Sequence, residues 1–244
     1  SHELRTPLAS LLGYIETLQD GAAKDKKTRN RFLEIMQGEA SRMQTLIGDL
    51  MSLSRIEAEK YRAPEEDIAL GPLIEEACQS VCATQGVKRD RVEIEPHDDE
   101  VRIAGDRVQI TQLVSNLVGN SLKYGAPDDP VEVRYAPISD TMVRLTVEDK
   151  GEGIAPEHLP RLTERFYRIA PGRSRSLGGT GLGLAIVKHI VERHRGRLNI
   201  ESELGAGTIV SVDLPKKPSA LSSSRNENVT KADGPSLVGA RDSQ

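Results

Sequence analysis

The amino-acid sequence predicts an α+β protein in two parts: a helical hairpin that pairs with a second copy into a four-helix bundle, followed by an α/β two-layer sandwich. Three observations carry that prediction. Up to Leu53, apolar residues recur at spacings of three and four, the stripe of a helix packed along its length. Tyr61-Arg62-Ala63-Pro64-Glu65-Glu66 then breaks the pattern, and Pro64 marks the handover between domains. Beyond it, short segments of alternating polarity are interleaved with amphipathic helices, as in a mixed sheet covered by helices on one face. The 244 residues thus divide into a hairpin at 1–62, a linker at 63–66, a sandwich at 67–215 and a tail at 216–244. The tail is rich in Lys, Ser, Asn, Asp and Gly and holds no aromatic residue, so disorder is expected there.

The first helix is expected over residues 4–20, with Leu4, Leu8, Leu11, Ile15, Leu18 and Ala22 as its seam. It opens on His2-Glu3-Leu4-Arg5-Thr6-Pro7. With Leu4 on the seam, His2 and Thr6 fall one turn apart on the wet face. Pro7 removes one backbone hydrogen bond, and a kink is expected beside the histidine. An exposed imidazole has an ordinary pKa of about 6.5 and is mostly neutral at cellular pH, so His2 beside Glu3 is a usable nucleophile. Gly21, Asp25 and the lysines around them suit a short turn. A second helix is expected from about residue 28, where Phe32, Ile35, Met43, Leu46, Leu50 and Leu53 continue the period, with Glu39 at one seam position. Such a hairpin cannot bury its whole apolar face alone, so a homodimer follows from the pattern.

In the second part, strands are expected at 67–70, 91–95, 101–104, 131–136, 143–148, 198–202 and 208–214. Helices are expected at 72–85, with Pro72 in the first turn, at 107–124 after an Asp106 cap, and at 181–195.

Composition narrows the function classes. A net charge of −4 gives no electrostatic case for nucleic-acid or anionic-membrane binding. Aromatics make up only 3% of the chain, so the core is aliphatic. Cys78 and Cys82 lie four apart in an apolar-periodic helix and read as buried reduced thiols. No run of about 18 apolar residues could span a bilayer, and no membrane contact is expected of this stretch. The chain has neither an initiator Met nor a signal peptide, and reads as the cytoplasmic fragment of a longer protein anchored in the bacterial inner membrane.

Three segments of the second part carry chemistry. Gln109, Gln112, Asn116, Asn120 and Lys123 share one helix face, opposite Ile110, Leu113, Leu117 and Leu122. Two carboxamides and an ammonium suit a hydrated Mg²⁺ and phosphate oxygens, whereas an ordinary solvated face carries Glu and Lys more often than Asn. Asp149-Lys150-Gly151-Glu152-Gly153-Ile154 follows a strand, which lets the carboxylate accept from an exocyclic amine while glycines admit a flat ring. Alone that string is also a common turn. Gly178-Gly179-Thr180-Gly181-Leu182-Gly183-Leu184 opens a helix, and free amides there make an anion cradle. It matches neither a Walker A loop nor a Rossmann fingerprint. Arg165, Arg168, Arg173 and Arg175 lie in or beside a stretch rich in Gly and Ser that suits a mobile lid.

Taken in order, these segments resemble the motifs of sensor histidine kinases. The string at 2–7 resembles the family's acceptor (H) box, and 116–124, 149–154, 162–168, 178–184 and 205–208 resemble its N, G1, F, G2 and G3 boxes. The resemblance spans about residues 2–214, and the specificity lies in six motifs in sequence. It implies the ATP sandwich shared with gyrase, heat-shock chaperone and mismatch-repair ATPases. It further implies Asp149 on the adenine amine, Asn120 supported by Asn116 on Mg²⁺, and Lys123, Tyr124, Thr180 and the backbone of Gly181 and Gly183 on ribose or phosphates. Gly151, Gly153, Ile154, Arg165, Gly179, Leu182, Leu184 and Thr208 complete the implied ATP site. Thr163 stands where a Phe often stands in the F box, a departure that removes no ligand.

The implied activity is ATP-dependent phosphorylation of His2, assisted by Glu3, then transfer to an aspartate of a response regulator. Thr6 is implied in dephosphorylating that regulator, and Ser10, Gly13, Tyr14 and Thr17 in choosing it. The run over residues 8–18 is similar to phosphate-regulon sensor kinases. Two other readings stay open: a conformational ATPase of the gyrase or chaperone type, which should lack the 2–7 string, and a dimeric scaffold or phosphatase that no longer phosphorylates histidine. His97 and His158 read as turn residues, and His189 and His194 as surface residues rather than metal ligands.

Overall fold

The computed structural model describes residues 2–95, 100–169 and 179–217, with His2 defined by its backbone alone. His97, Arg173, Arg175, Gly178 and the 218–244 part of the tail lie outside the described residues.

Helices α1 (His2–Gln19) and α2 (Lys26–Ala58) form the hairpin, joined through a 3₁₀ turn at Ala22–Lys24. Gly21 enters that turn at φ 115, a backbone state that glycine adopts without strain. Asp25 then caps α2, accepting the Thr28 N–H at 2.9 Å. Helix α1 is continuous across Pro7, whose ring is buried.

The second part begins with β1 (Glu66–Ala69), which passes directly into α3 (Leu70–Gln85). Strand β1 pairs antiparallel with β3 (Arg102–Gly105) as a separate two-stranded sheet. The main sheet has five strands in the order β2-β4-β5-β7-β6: β2 (Val92–Ile94), β4 (Val131–Pro137), β5 (Met142–Asp149), β7 (Gly207–Pro215) and β6 (Arg197–Glu203). Among the described residues, β2 and β4 are the one parallel pair of this sheet. Helix α4 (Arg107–Tyr124) lies against β4 and β5, and α5 (Gly183–Arg193) against β6 and β7.

Strand alternation explains both faces of the sheet. In β5, Val143, Leu145 and Val147 are buried while Arg144 is exposed and pairs with Asp213 of β7 at 2.6 Å. The buried set meets Ile110, Leu113 and Leu117 of α4 and Ile186, Val187 and Ile190 of α5 in one aliphatic core. Asp149 continues the inward set at the end of β5, which is why this carboxylate is only 8% exposed.

Two expectations need correction. Gln109 is buried, with its Oε1 facing no hydrogen-bond partner, so the polar stripe of α4 starts at Gln112. His194 is not a surface residue: it is 2% exposed, its Nε2 accepts the Asp106 N–H at 3.0 Å, and its Nδ1 donates to the Ile190 carbonyl at 2.8 Å. The residue reads as polar, but it closes the α5 end onto the cap of α4. Cys78 and Cys82 are buried free thiols, and burial pushes the Cys78 thiol up to about 12.

The hairpin does not stand apart from the sandwich. Leu46, Leu53 and Ile56 of α2 join the same contiguous core, and α2 packs on α5. Arg193, 6% exposed, ties the junction together by pairing with Glu59 at 2.6 Å and Asp106 at 3.1 Å.

Candidate nucleotide and phosphoacceptor site

Asp149 lies at the end of β5, at the floor of a cradle of turns. Its Oδ1 accepts the Gly151 N–H at 3.0 Å. Burial pushes its pKa up, opposed by hydrogen bonds from the Ser121 hydroxyl and the Gly151 and Thr208 amides. Thr208 stands opposite Asp149 in the β5–β7 register, so the G3 turn and the carboxylate are fixed together. Small residues are required around it. A Cβ on Gly151 would fall 2.3 Å from the Tyr124 carbonyl oxygen, and one on Gly207 would fall 2.0 Å from the Asp149 carbonyl oxygen. Ser202 cross-links the same region: its hydroxyl donates to the Gly207 carbonyl at 2.6 Å, lies 2.8 Å from Thr208 Oγ1 and accepts the Ile154 N–H at 2.9 Å. Neither Ser121 nor Ser202 was singled out from sequence. Each supports the site across the fold, and no local spacing marks such a role.

The other end of the cradle lies where α4 faces the N-terminus of α5. A Cβ on Gly183 would sit 3.4 Å from Asn116 Oδ1 and 4.0 Å from Asn120 Nδ2, so both carboxamides converge on the opening of α5. Among the described residues, Asn116 Nδ2 is buried with no hydrogen-bond partner. Carboxamide oxygens beside free helix amides fit a hard hydrated cation bridging to phosphate oxygens, so the donor set suits Mg²⁺. Lys123, on the same face, has its pKa lowered by burial and partly restored by Asp49. Gly181 is at φ 74, and its carbonyl accepts the Phe166 N–H at 2.8 Å, which holds the F box against the G2 loop. Leu182 is fully buried and Leu184 half-buried, anchoring that loop to the core, while Gly179 is half-buried at its edge. Tyr124 is 42% exposed at the rim. Arg165 pairs not with the cradle but with Glu57 of α2.

The hairpin brings its chemistry to the same place. Arg168, whose side chain is 7% exposed, donates to the Thr180 carbonyl at 2.7 Å and lies 3.6 Å from Glu3. The first turn of α1, with His2 at its start, therefore abuts the wall of the cradle. Thr6 is exposed on that turn. Farther along, Ser10, Gly13, Tyr14 and Thr17 line a cavity of about 320 Å³ with Phe32 of α2, whose ring centroid is 5.0 Å from that of Tyr14. Phe32 was read from sequence only as a seam residue.

Comparison with known proteins places each part of the chain in a family. Residues 1–59 match the His Kinase A (phospho-acceptor) domain, and residues 105–218 match the Histidine kinase-, DNA gyrase B-, and HSP90-like ATPase family. The chain belongs to the sensor histidine kinases. It is 39% identical over 208 residues to the phosphate regulon sensor protein PhoR of Pseudomonas aeruginosa, a match covering 85% of this chain and 46% of that protein. Among solved structures, the mycobacterial sensor histidine kinase MprB is 28% identical with a TM-score of 0.54, over 64% of this chain and 99% of that one. The Acinetobacter baumannii histidine kinase AdeS shares the fold, with a TM-score of 0.68 at 24% identity over 88% of this chain and 98% of that one. The chain spans about half the length of the curated relatives it matches. Among the described residues of this sensor-kinase chain, no helix is long and apolar enough to cross a membrane.

Proposed function

We propose that this chain phosphorylates its own class of chain on His2 with ATP and passes the phosphoryl group to an aspartate of a response regulator. The observation that carries the reading is the contact of Glu3 with Arg168, which itself holds the Thr180 carbonyl of the cradle. It sets the acceptor turn beside the nucleotide loop. The imidazole of His2 attacks the γ-phosphorus, so a nitrogen–phosphorus bond forms as the bond to the ADP oxygen breaks. Glu3 accepts a hydrogen bond from the ring, fixes its tautomer and raises the nucleophilicity of the far nitrogen. Asp149 reads the adenine amine, and Lys123, Thr180 and the amides of Gly181 and Gly183 hold phosphate oxygens. Asn120, supported by Asn116, would hold Mg²⁺, which supplies charge neutralisation at the phosphates.

Incubation with γ-labelled ATP tests the reading. Label that is acid-labile and base-stable identifies phosphohistidine. His2→Gln should lower incorporation by at least about a hundredfold while ATP affinity changes by less than about twofold, because acceptor and cradle are separate elements. Asn120→Asp should lose label without unfolding, since the new charge repels phosphate oxygens. Label persisting on His2→Gln rules out His2 as the acceptor.

Two partners complete the proposal. A second copy of the chain pairs the hairpins, and the regulator docks over the cavity lined by Ser10, Gly13, Tyr14, Thr17 and Phe32. Thr6, one turn beyond His2, orients water toward the regulator's phospho-aspartate. Thr6→Ala should therefore autophosphorylate and transfer normally yet leave the regulator phosphorylated for longer. Equal decay of phospho-regulator with wild type and Thr6→Ala in the presence of ADP would remove Thr6 from that step.

A further inference from the structure

The Thr180 hydroxyl, which the nucleotide reading assigns to phosphate oxygens, is already committed. It donates to Asp49 Oδ2 at 2.7 Å, and Asp49 belongs to α2, not to the sandwich. A hydroxyl has one proton to donate, so Thr180 cannot serve Asp49 and a phosphate oxygen at once. Thr180 Oγ1 meanwhile accepts the Leu182 N–H at 3.3 Å, which fixes its rotamer and aims its O–H at α2. Burial pushes the pKa of Asp49 up, and the hydrogen bond from Thr180 and then the Lys123 ammonium of α4 oppose that shift. A carboxylate thus holds a hydroxyl that suits phosphate oxygens.

The face of α2 around Asp49 is held against the sandwich on both sides. Ser52, one turn on, donates to Gln112 Oε1 at 2.6 Å, and Gln112 belongs to the polar stripe of α4. Glu57, a further turn on, pairs with Arg165 of the F box and lies 3.8 Å from His189 of α5. Positions 49, 52 and 57 share the helix face that also buries Leu53 and Ile56.

We propose that the Asp49 carboxylate is a built-in competitor for the phosphate subsite: it holds the Thr180 hydroxyl when α2 is docked, and a nucleotide bearing β- and γ-phosphates must displace it. This rests on the nucleotide reading given above. No bond is made or broken; one anion replaces another. The competition is specific to phosphate-bearing ligands, because among the described residues the side-chain hydrogen bonds between α2 and the sandwich involve Gln112, Arg165 and Thr180 and not Asp149.

Titration calorimetry on the full chain tests this with the magnesium complex of a non-hydrolysable ATP analogue and with adenosine. Asp49→Asn and Asp49→Ala should each tighten the analogue by roughly fivefold or more, while adenosine affinity stays within about twofold. Unchanged adenosine affinity and an unchanged thermal midpoint show that the variants are folded. Analogue affinity equal to or weaker than wild type overturns the proposal and leaves the nucleotide reading intact. Equal tightening of adenosine and analogue also overturns it, because α2 would then be a steric cover rather than a competing anion. Failure of wild type and variants alike to bind the analogue overturns both readings.

Discussion

The buried histidine at the end of α5 gives the chain its clearest residue-scale pH response. His194 accepts the Asp106 N–H and donates to the Ile190 carbonyl, so the neutral ring with a proton on Nδ1 satisfies both bonds. Burial pushes its pKa down; the Ile190 carbonyl opposes this, Arg193 adds to it and Asp106 opposes it. In the unfolded chain the same ring takes up a proton near its ordinary pKa of about 6.5. Below that pH the unfolded state holds more protons than the folded state. The contribution of His194 is therefore complete above about pH 6.5 and is lost as pH falls toward the lowered folded value. Thermal midpoints measured from about pH 7.5 down to about pH 5 should fall more steeply for wild type than for His194→Gln, which keeps an amide acceptor but does not titrate in that range. Parallel curves would mean that another group sets the acid limb.

At the scale of elements, the glycine turn after β5 is held by shape rather than by side chains. Gly153 adopts φ 69, and a Cβ there would come within 1.9 Å of the Glu203 carbonyl oxygen at the end of β6. Backbone strain and a main-chain clash coincide, so Gly153→Ala must shift the G1 loop away from the β6–β7 turn that Gly205 N–H ties to the Glu152 carbonyl at 2.8 Å. Nucleotide affinity should drop by at least about tenfold, with a loss of roughly 1–3 kcal/mol in stability, checked by calorimetry and chemical denaturation. Wild-type affinity in Gly153→Ala would mean that this loop does not form the cradle. The turn was legible in the sequence as Asp149 plus two glycines, and so were the Asp106 cap, the strand alternation of β5 and, within the described residues, the glycines at 179–183 that lead into α5. Less legible was whatever depends on pairing between distant segments. Nothing local separates β1 and β3 into their own sheet or makes β2–β4 the one parallel pair. The seam of α2 misled in a similar way, because Leu46 and Leu53 share its apolar period but join the core of the sandwich. Asp49 and Ser52 carry no signal in the sequence, since their partners Thr180 and Gln112 lie far away along the chain.

The whole molecule, taken as one chain, leaves a surface that its own fold does not cover. Leu8, Leu12 and Ile15 stay 48%, 52% and 38% exposed along one stripe of α1, and Leu33, Ile47 and Met51 of α2 stay 50%, 45% and 53% exposed. Isolated exposed apolar residues are common, but rows at helical spacing on two packed helices form a patch that water disfavours. The faces of α2 divide the work: Leu46, Leu53 and Ile56 turn to the sandwich, whereas Ile47 and Met51, one turn apart, turn outward. A second hairpin laid against Leu8, Leu12 and Ile15 would close a four-helix bundle with both sandwiches outside it. Replacing two residues of the stripe, Leu8→Glu with Leu12→Glu, would place carboxylates in that seam at a cost of several kcal/mol, weakening dimerisation by at least about a hundredfold. Each site is exposed in the single chain, so its fold and nucleotide affinity should survive. Light scattering after size exclusion should give wild type a mass of twice 26.7 kDa and the double variant the mass of one chain. Wild type eluting as a single chain at every concentration tested would mean that the stripe serves another partner, and an unfolded double variant would mean that it packs within the chain.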